Sequence, residues 1–375
     1  MSVSSQTYDG AATRPPRRWR FFVPLAVVAV LALGWTGFWF YASTRAQAEL
    51  AAWSKREAAA GRELSCGSQE LGGFPFRLEL RCAAPQLALT KAHVSLKAQD
   101  MHAAVQVYRP TLAIAEFTGP LAVADDQGEV ATVDWTLAQM SVHAQLSGPP
   151  QRVSVVVEQP KVTRSANQEM LGRATHAEIH LRQAPRLPSD PPAFDLALDL
   201  TQALLPAVPR VPETPIDATV AGTLRGLDDL SPRPWRQVLR DLQAGNGRLD
   251  VTQARIRQGN VLIVGNGTLQ LTARGALDGQ LQLTVAGIEE LVTALGLDKA
   301  IGQASQNALN RVVPGLDLNS LLGSHGNAAL AAMGASMLGQ PTQLEGRQAV
   351  TLPLRFADGA VFLGPLKVAD VAPLY

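Results

Sequence analysis

The sequence is short of charged residues. Only 17% of its 375 residues are Asp, Glu, Lys or Arg, against about 25% in a typical soluble domain. The 33 basic and 32 acidic residues nearly cancel, which leaves a net charge of +1. A protein that binds nucleic acid needs a basic surface to neutralise phosphates, so this balance argues against nucleic acid as a partner. The hydrophobic share of 46% indicates a chain that buries much apolar surface or presents it to another apolar body.

The sequence also lacks the motifs of catalytic chemistry. It contains no G-x-S-x-G nucleophile elbow, no P-loop and no dinucleotide-binding fingerprint. His176 and His180 stand four residues apart, but Ala177 occupies the position where the zinc-protease motif H-E-x-x-H requires Glu. We therefore expect no enzyme activity, no catalytic residue, no cofactor and no metal site, with the two histidines at solvated positions of a strand.

One long apolar run stands near the N-terminus. Residues Phe21 to Ala42 contain no charged side chain, and as a helix they would span about 33 Å, enough for a bilayer core of about 30 Å. Aromatic residues gather toward its far end, as at a membrane interface. Four arginines precede the run, at positions 14, 17, 18 and 20, whereas only Arg45 follows it within a dozen residues.

This charge asymmetry predicts the topology, because positively charged flanks remain in the cytoplasm. Residues 1–20 are then a cytoplasmic segment, residues 21–42 a transmembrane helix, and residues 63–375 a periplasmic domain anchored in the inner (cytoplasmic) membrane of a Gram-negative bacterium. Residues 43–62 are rich in Ala, Glu, Lys and Arg, which predicts a helical stalk. The alternative is a cleaved signal peptide ending at Ala46-Gln47-Ala48, but the apolar core of such a peptide is only about 7–15 residues long.

The two cysteines, Cys66 and Cys82, both lie near the start of the exported region. Disulfides form in oxidising compartments such as the periplasm, so we expect these two to be bonded. A loop of this size would stabilise the fold by about 3 kcal/mol in the chain-entropy treatment. Two buried free thiols are the alternative, and the absence of C-x-x-C spacing argues against redox chemistry.

Apolar and polar residues alternate with a period of two in many segments beyond residue 63. Examples are Val133, Trp135 and Leu137, and the run from Phe194 to Leu200. Breaks rich in Pro, Gly and Asp separate these segments, as antiparallel turns require. The pattern predicts a mainly β fold: a long twisted antiparallel sheet that forms a groove or an open barrel. A small helical insertion is predicted at about residues 287–340.

The alternation is strongest between residues 74 and 82. Phe74, Phe76, Leu78 and Leu80 fall on one face of the predicted strand, with charged residues on the other. These four residues are either ordinary core or the lining of an apolar groove. Pro75 cannot donate to a strand ladder, which predicts a position at the edge of the sheet.

The arrangement of these elements resembles a bacterial family of membrane-anchored proteins, mainly alphaproteobacterial, that is catalogued as a domain of unknown function. The resemblance rests on an N-terminal transmembrane helix and stalk, the GFPFR element at 73–77 followed by Cys82, and the closing segments at 352–356 and 358–366. It covers nearly the whole chain and implies no catalytic residues. The turn-and-strand run at 245–285 also resembles, more weakly, the β-repeats of AsmA-like envelope proteins, which are implicated in moving lipid.

Together these features predict a non-enzymatic, membrane-anchored periplasmic protein. An apolar β-groove would bind or pass the acyl chains of lipids, since each buried methylene contributes about 0.8 kcal/mol. The alternative is an envelope scaffold or assembly factor that binds another envelope protein through a sheet edge. An inner sheet face that is open to solvent would favour lipid, whereas a fully packed one would favour the scaffold.

Overall fold

A computed structural model of the chain describes residues 19–145, 150–185, 192–208, 212–227, 234–290, 339–363 and 366–375. The predicted helical insertion falls almost wholly on residues 291–338, outside the described residues. Most of the predicted cytoplasmic segment also lies outside them.

A single helix, α1 (Trp19–Ala59), contains 41 residues and is about 60 Å long. It covers the predicted transmembrane helix and most of the predicted stalk without a break. From Trp19 to Gly34 every described side chain is exposed. Beyond that point one stripe of the helix packs against the β-structure, along residues spaced three or four apart: Trp35, Trp39, Ser43, Ala46 and Leu50.

Within the described residues, twenty-three strands and a second helix follow α1. The first thirteen strands are β1 (Arg62–Ser65), β2 (Ser68–Gly72), β3 (Arg77–Ala83), β4 (Gln86–Leu89), β5 (Val94–Lys97), β6 (Asp100–Gln106), β7 (Arg109–Thr118), β8 (Leu121–Asp125), β9 (Gly128–Asp134), β10 (Leu137–His143), β11 (Arg152–Glu158), β12 (Lys161–Arg164) and β13 (Met170–Arg173). The remaining elements are β14 (His176–Gln183), β15 (Ala193–Ala203), β16 (Ile216–Arg225), α2 (Trp235–Ala244), β17 (Arg248–Gln258), β18 (Val261–Leu271), β19 (Leu277–Ala286), β20 (Gln340–Leu344), β21 (Arg347–Ala357), β22 (Ala360–Leu363) and β23 (Leu366–Asp370).

The strands form two open antiparallel sheets. The small sheet has seven strands in the order β1-β4-β5-β8-β9-β12-β13. The large sheet has sixteen, in the order β2-β3-β6-β7-β10-β11-β14-β15-β16-β17-β18-β19-β21-β22-β23, with β20 also paired to β21. The mainly β fold is therefore confirmed, with two sheets where the sequence predicted one, and among the described strands neither sheet closes into a barrel.

The chain builds the first half of this structure by alternating hairpins between the sheets. The hairpins β2–β3, β6–β7 and β10–β11 belong to the large sheet, and β4–β5, β8–β9 and β12–β13 belong to the small one. From β14 onward every described strand joins the large sheet. The small sheet thus accompanies the first part of the large sheet, and its last strand, β13, pairs through Arg173 with Leu204, just after β15.

Two features hold the ends of this assembly together. Near the helix, a disulfide joins Cys66, just after β1 of the small sheet, to Cys82 in β3 of the large sheet, with an S–S distance of 1.96 Å. At the far end, a hydrophobic core forms around Val285, Ile288 and Leu352, with partly buried neighbours from β18, β19, β21 and β22. The ends are therefore well packed, and the middle of the large sheet lies between them.

Candidate functional site

One face of the large sheet is apolar across almost its whole width. The pairing register places a single row of cross-strand partners on thirteen strands, all of them apolar or glycine. This apolar row consists of Leu71, Leu80, Ala103, Ala115, Met140, Val155, Ile179, Leu198, Val220, Ala254, Gly265, Leu283 and Leu352. With strands about 4.8 Å apart, the row is about 58 Å long.

The opposite face of the same strands is polar. The neighbouring row of partners on that face holds eleven polar or charged residues and two valines: Glu70, Arg81, His102, Glu116, Gln139, Val156, Glu178, Asp199, Thr219, Arg255, Val264, Thr284 and Thr351. A sheet with one covered face and one wet face shows this division. The apolar row therefore marks the inner face of the large sheet.

The middle of the inner face is open. Ile179 is 49% exposed and Leu198, its partner on the next strand, is 37% exposed. By contrast, Ala115 and Leu352, toward the two ends of the row, are buried. Large apolar side chains exposed side by side on a sheet face form a patch of the kind that often marks an interaction site.

Near α1 the inner face is covered by the small sheet, and a cavity of about 400 Å³ lies between the layers. Ligand pockets typically have volumes of about 300–1,000 Å³. Its apolar lining comes from the helix (Leu50, Trp53), the small sheet (Leu64, Leu87, Leu96, Leu121) and the large sheet (Leu80, Met101, Phe117, Met140). None of the described residues that line the cavity is charged. It could accept an apolar chain but offers no partner for a charged ligand.

The residues predicted to line a groove are divided between two places. Leu80 lines the cavity, and Leu78 lies on the same face of β3, paired with Val105. Phe74 and Phe76 precede β3 and lie in a turn at the helix, where they do not line the cavity. Gly73, with φ +98°, directs the chain into this turn, so the strand that sequence alternation placed at 74–82 begins only at Arg77.

The turn Gly73–Arg77 is bound to α1 by its backbone and by its rings. The indole Nε1 of Trp35 donates to the carbonyl of Pro75 (2.8 Å), and that of Trp39 donates to the carbonyl of Arg77 (3.0 Å). The ring of Phe74 packs edge-on against Trp39, with centroids 5.4 Å apart. The aromatic residues near this end of the apolar run, which include both tryptophans, predict a membrane interface, but nothing in the sequence reveals that the two indoles donate hydrogen bonds.

Residues 39–372 match the model of a family described as an uncharacterized protein conserved in bacteria, DUF2125. The chain belongs to the DUF2125 family. This confirms the resemblance based on the GFPFR element, whereas the AsmA-like resemblance is not shown by the comparisons. No curated protein matches the chain. The DUF2125 match includes both sheets, the turn Gly73–Arg77 and the helix from Trp39 onward, so the cavity and all of the apolar row belong to the family's own region.

The outer face of the DUF2125 domain carries pairs of opposite charge. His176 Nδ1 lies 2.9 Å from Glu158 Oε1, and its Nε2 lies 3.4 Å from Glu178 Oε2. The hydrogen bond to Glu158 raises the pKa of His176 above its usual 6.5, since it outweighs the opposing effect of desolvation. His180, on the same face, contacts Ser154 at 2.8 Å. Within the described part of the chain, no group of three or more His, Cys, Asp or Glu residues could hold a metal ion.

Asp250 belongs to a second cluster on this outer face. Desolvation acts to raise its pKa, but hydrogen bonds from Arg225 (2.8 Å) and Thr268 (3.2 Å), together with the charge of Arg248, outweigh that effect and lower it. Paired, partly exposed charges of this kind are a solvated face of the sheet. Both charged clusters lie on the face of the sheet opposite the apolar row, so neither directs a nucleophile or a base toward the cavity.

Proposed function

We propose that the chain is a membrane-anchored periplasmic protein that holds lipid acyl chains on the inner face of its large sheet and catalyses no reaction. The observation that carries this proposal is the apolar row of thirteen cross-strand partners, continuous from the cavity at the helix to the far core. An elongated uncharged surface with an open middle fits an acyl chain, which is long and apolar and needs no hydrogen-bonding partner.

The anchor is the first half of α1. Among the described residues, α1 is the one helix long and apolar enough to cross a membrane, and its apolar side chains before Trp35 are exposed, as contact with lipid requires. The arginines before the run and their scarcity after it support a cytoplasmic N-terminus and a periplasmic β-domain.

The energetics favour exchange of lipid with the bilayer. An acyl chain that crosses water loses about 0.8 kcal/mol for each exposed methylene. A chain that moves from the bilayer core to an apolar protein face remains buried and avoids most of that cost. A protein fixed to the membrane beside such a face could therefore take up and return acyl chains with little net change in free energy.

Lipid retention tests the proposal. The full-length protein, extracted from membranes in mild detergent, is expected to carry phospholipid that mass spectrometry detects, and to bind a fluorescent fatty acid saturably. Met140→Trp should fill the cavity and lower probe binding at least tenfold. Gln139→Trp, on the outer face of the same strand, is the matched control and should leave binding unchanged. Circular dichroism checks that both variants fold. Absence of both bound lipid and saturable probe binding in the wild-type protein would contradict the proposal.

The scaffold hypothesis has less support from the geometry. A partner that adds a strand needs a long exposed edge. Among the described strands, the edges of the large sheet, β2, β20 and β23, have only five residues each, and those of the small sheet, β1 and β13, have four each. Short edges are a common means of preventing such pairing. A crosslinking experiment that recovered one stoichiometric envelope protein, together with no bound lipid, would favour the scaffold.

A further inference from the structure

The helix offers too little free length to cross a membrane before it meets the β-domain. The part of α1 from Trp19 to Gly34 has 16 residues and is about 24 Å long, whereas a bilayer core is about 30 Å thick. Arg20 is the last charged residue before the apolar run, so the core cannot begin before Phe21. A span of about 20 residues then ends near Phe40.

This length places Trp39 at the periplasmic end of the hydrocarbon core and Trp35 about one helical turn deeper. Both are bound to the turn Gly73–Arg77 by indole hydrogen bonds of 2.8 and 3.0 Å. A tilted helix would need more residues to cross, which would place the two tryptophans deeper still. Whatever contacts these side chains directly must lie at nearly the same depth.

We infer that the turn Gly73–Arg77 inserts into the periplasmic leaflet beside α1 and forms a second contact between the β-domain and the lipid. The inference rests on the proposed membrane anchor and not on the holding of acyl chains. The occupant of this surface is the bilayer itself, since the turn is continuous with the helix that spans it.

Four of the five backbone carbonyls of the turn are hydrogen-bonded within the protein, which suits an environment with little water. The carbonyls of Gly73, Pro75, Phe76 and Arg77 accept hydrogen bonds from Arg77 N (3.1 Å), Trp35 Nε1 (2.8 Å), Val107 N (3.0 Å) and Trp39 Nε1 (3.0 Å), respectively. Pro75 has no N–H to satisfy. Because each unpaired backbone group in hydrocarbon costs several kcal/mol, irregular backbone is tolerated at this depth only when such partners are present.

The side chains around the turn are also those of an interface. Phe74 and Phe76 are 53% and 60% exposed, and Tyr108, next to the residue that binds the Phe76 carbonyl, is 67% exposed. On the helix, Phe40 and Tyr41 are exposed as well. An aromatic cluster exposed to water would be unfavourable, whereas aromatic rings are enriched where a protein meets the lipid headgroups.

Depth-dependent fluorescence quenching tests the inference. The full-length protein is reconstituted in vesicles of phosphatidylethanolamine and phosphatidylglycerol, with an NBD label on Phe76→Cys and the native disulfide intact. Nitroxide groups on the lipid acyl chains should quench this label at least twofold more than a label on Gln127→Cys. Gln127 is an exposed residue of the β8–β9 turn, and its neighbour Asp126 contacts His93 of the β4–β5 turn at 3.0 Å. That turn lies at the far end of the helix, where Thr90 N donates to the carbonyl of Gly61. Iodide in the aqueous phase should quench the label at position 127 more than the label at position 76.

A third label separates this inference from the anchor on which it rests. Leu31→Cys lies in the exposed apolar half of α1 and reports whether the helix spans the bilayer. Quenching of the Leu31 label without quenching of the Phe76 label would overturn the inserted turn and leave the anchor intact. If lipid quenches neither label, both the anchor and the inserted turn are wrong. Retained lipid, measured on the same preparations, tests the holding of acyl chains independently.

Discussion

Gly73 determines how the GFPFR element folds. Its φ of +98° is accessible to glycine at little cost, and a Cβ at this position would lie 2.7 Å from the carbonyl oxygen of Arg77. Apolar alternation alone cannot reveal such a turn, because Phe74 and Phe76 keep the period of the strand that follows. The sequence therefore predicted the apolar character of these residues but not their location against the helix.

Trp39 offers a test of this contact at the level of one side chain. It is 6% exposed and donates to the carbonyl of Arg77. Trp39→Phe keeps most of the ring but leaves that carbonyl without its donor, which should destabilise the protein by about 1–3 kcal/mol. Thermal unfolding in detergent measures the effect, and Trp19→Phe, at a 73% exposed residue, is the control. Equal unfolding temperatures for the two variants would show that the hydrogen bond is unimportant.

His176 should make the stability of the protein depend on pH. Its hydrogen bond to Glu158 raises its pKa in the folded state above 6.5. A group with a raised pKa stabilises the fold fully below its unfolded pKa and loses that effect as the pH rises through the folded value. The difference in urea midpoint between wild type and His176→Gln should therefore be largest below the unfolded-state pKa of about 6.5 and shrink as the pH rises through the raised folded-state pKa. His143→Gln, also on the outer face, is the control, and a pH-independent difference for His176→Gln would contradict this assignment.

At the scale of elements, alternation predicted the strands well but could not assign them to sheets. Leu87 and Leu96 of the small sheet alternate with their polar neighbours in the same way as Leu80 of the large sheet. The alternating run at Val133, Trp135 and Leu137 even crosses from one sheet to the other. Trp135 lies at that crossing, where its Nε1 donates to the carbonyl of Phe117 (2.8 Å). The assignment of each hairpin to one of the two sheets depends on packing between residues that are distant in sequence. The local pattern of apolar residues therefore cannot predict it.

The pairing of β18 with β19 depends on Gly267. This residue has φ +149°, and a Cβ there would lie 2.2 Å from the carbonyl oxygen of Gln280 on the neighbouring strand. Gly346 also has a positive φ, +74°, but no atom lies within 4 Å of its Cβ position. Gly346→Ala should therefore cost about 1–2 kcal/mol from backbone strain alone. Gly267→Ala should cost about 1–3 kcal/mol more than Gly346→Ala, because of the clash. Urea unfolding measures the loss of stability of each variant. Equal losses would show that β18 and β19 separate easily.

At the scale of the whole molecule, the two sheets differ in extent, and this difference creates the open inner face. In the part of the chain that the structure describes, the small sheet has seven strands and the large sheet sixteen. The apolar row is consequently enclosed beside the helix, exposed around Ile179 and Leu198, and buried again in the far core around Leu352. The alternation of apolar residues in the sequence predicted the strand positions of Leu80 and Leu198, two members of this row. Its continuity depends on the register of every pair, which sequence alone does not determine.

The open middle predicts how far along the sheet an acyl chain extends. Leu198 is 37% exposed, so Leu198→Asp places a carboxylate that water can hydrate in the empty protein, and the fold should survive. A bound acyl chain would remove that water, and burying an unpaired charge costs at least several kcal/mol. Lipid retained by the purified variant should therefore fall at least tenfold. Ala197→Asp, the adjacent residue on the outer face of the same strand, should retain as much lipid as wild type. If the Leu198→Asp variant retains as much lipid as wild type, the acyl chain is confined to the cavity beside the helix and does not reach the exposed middle of the sheet.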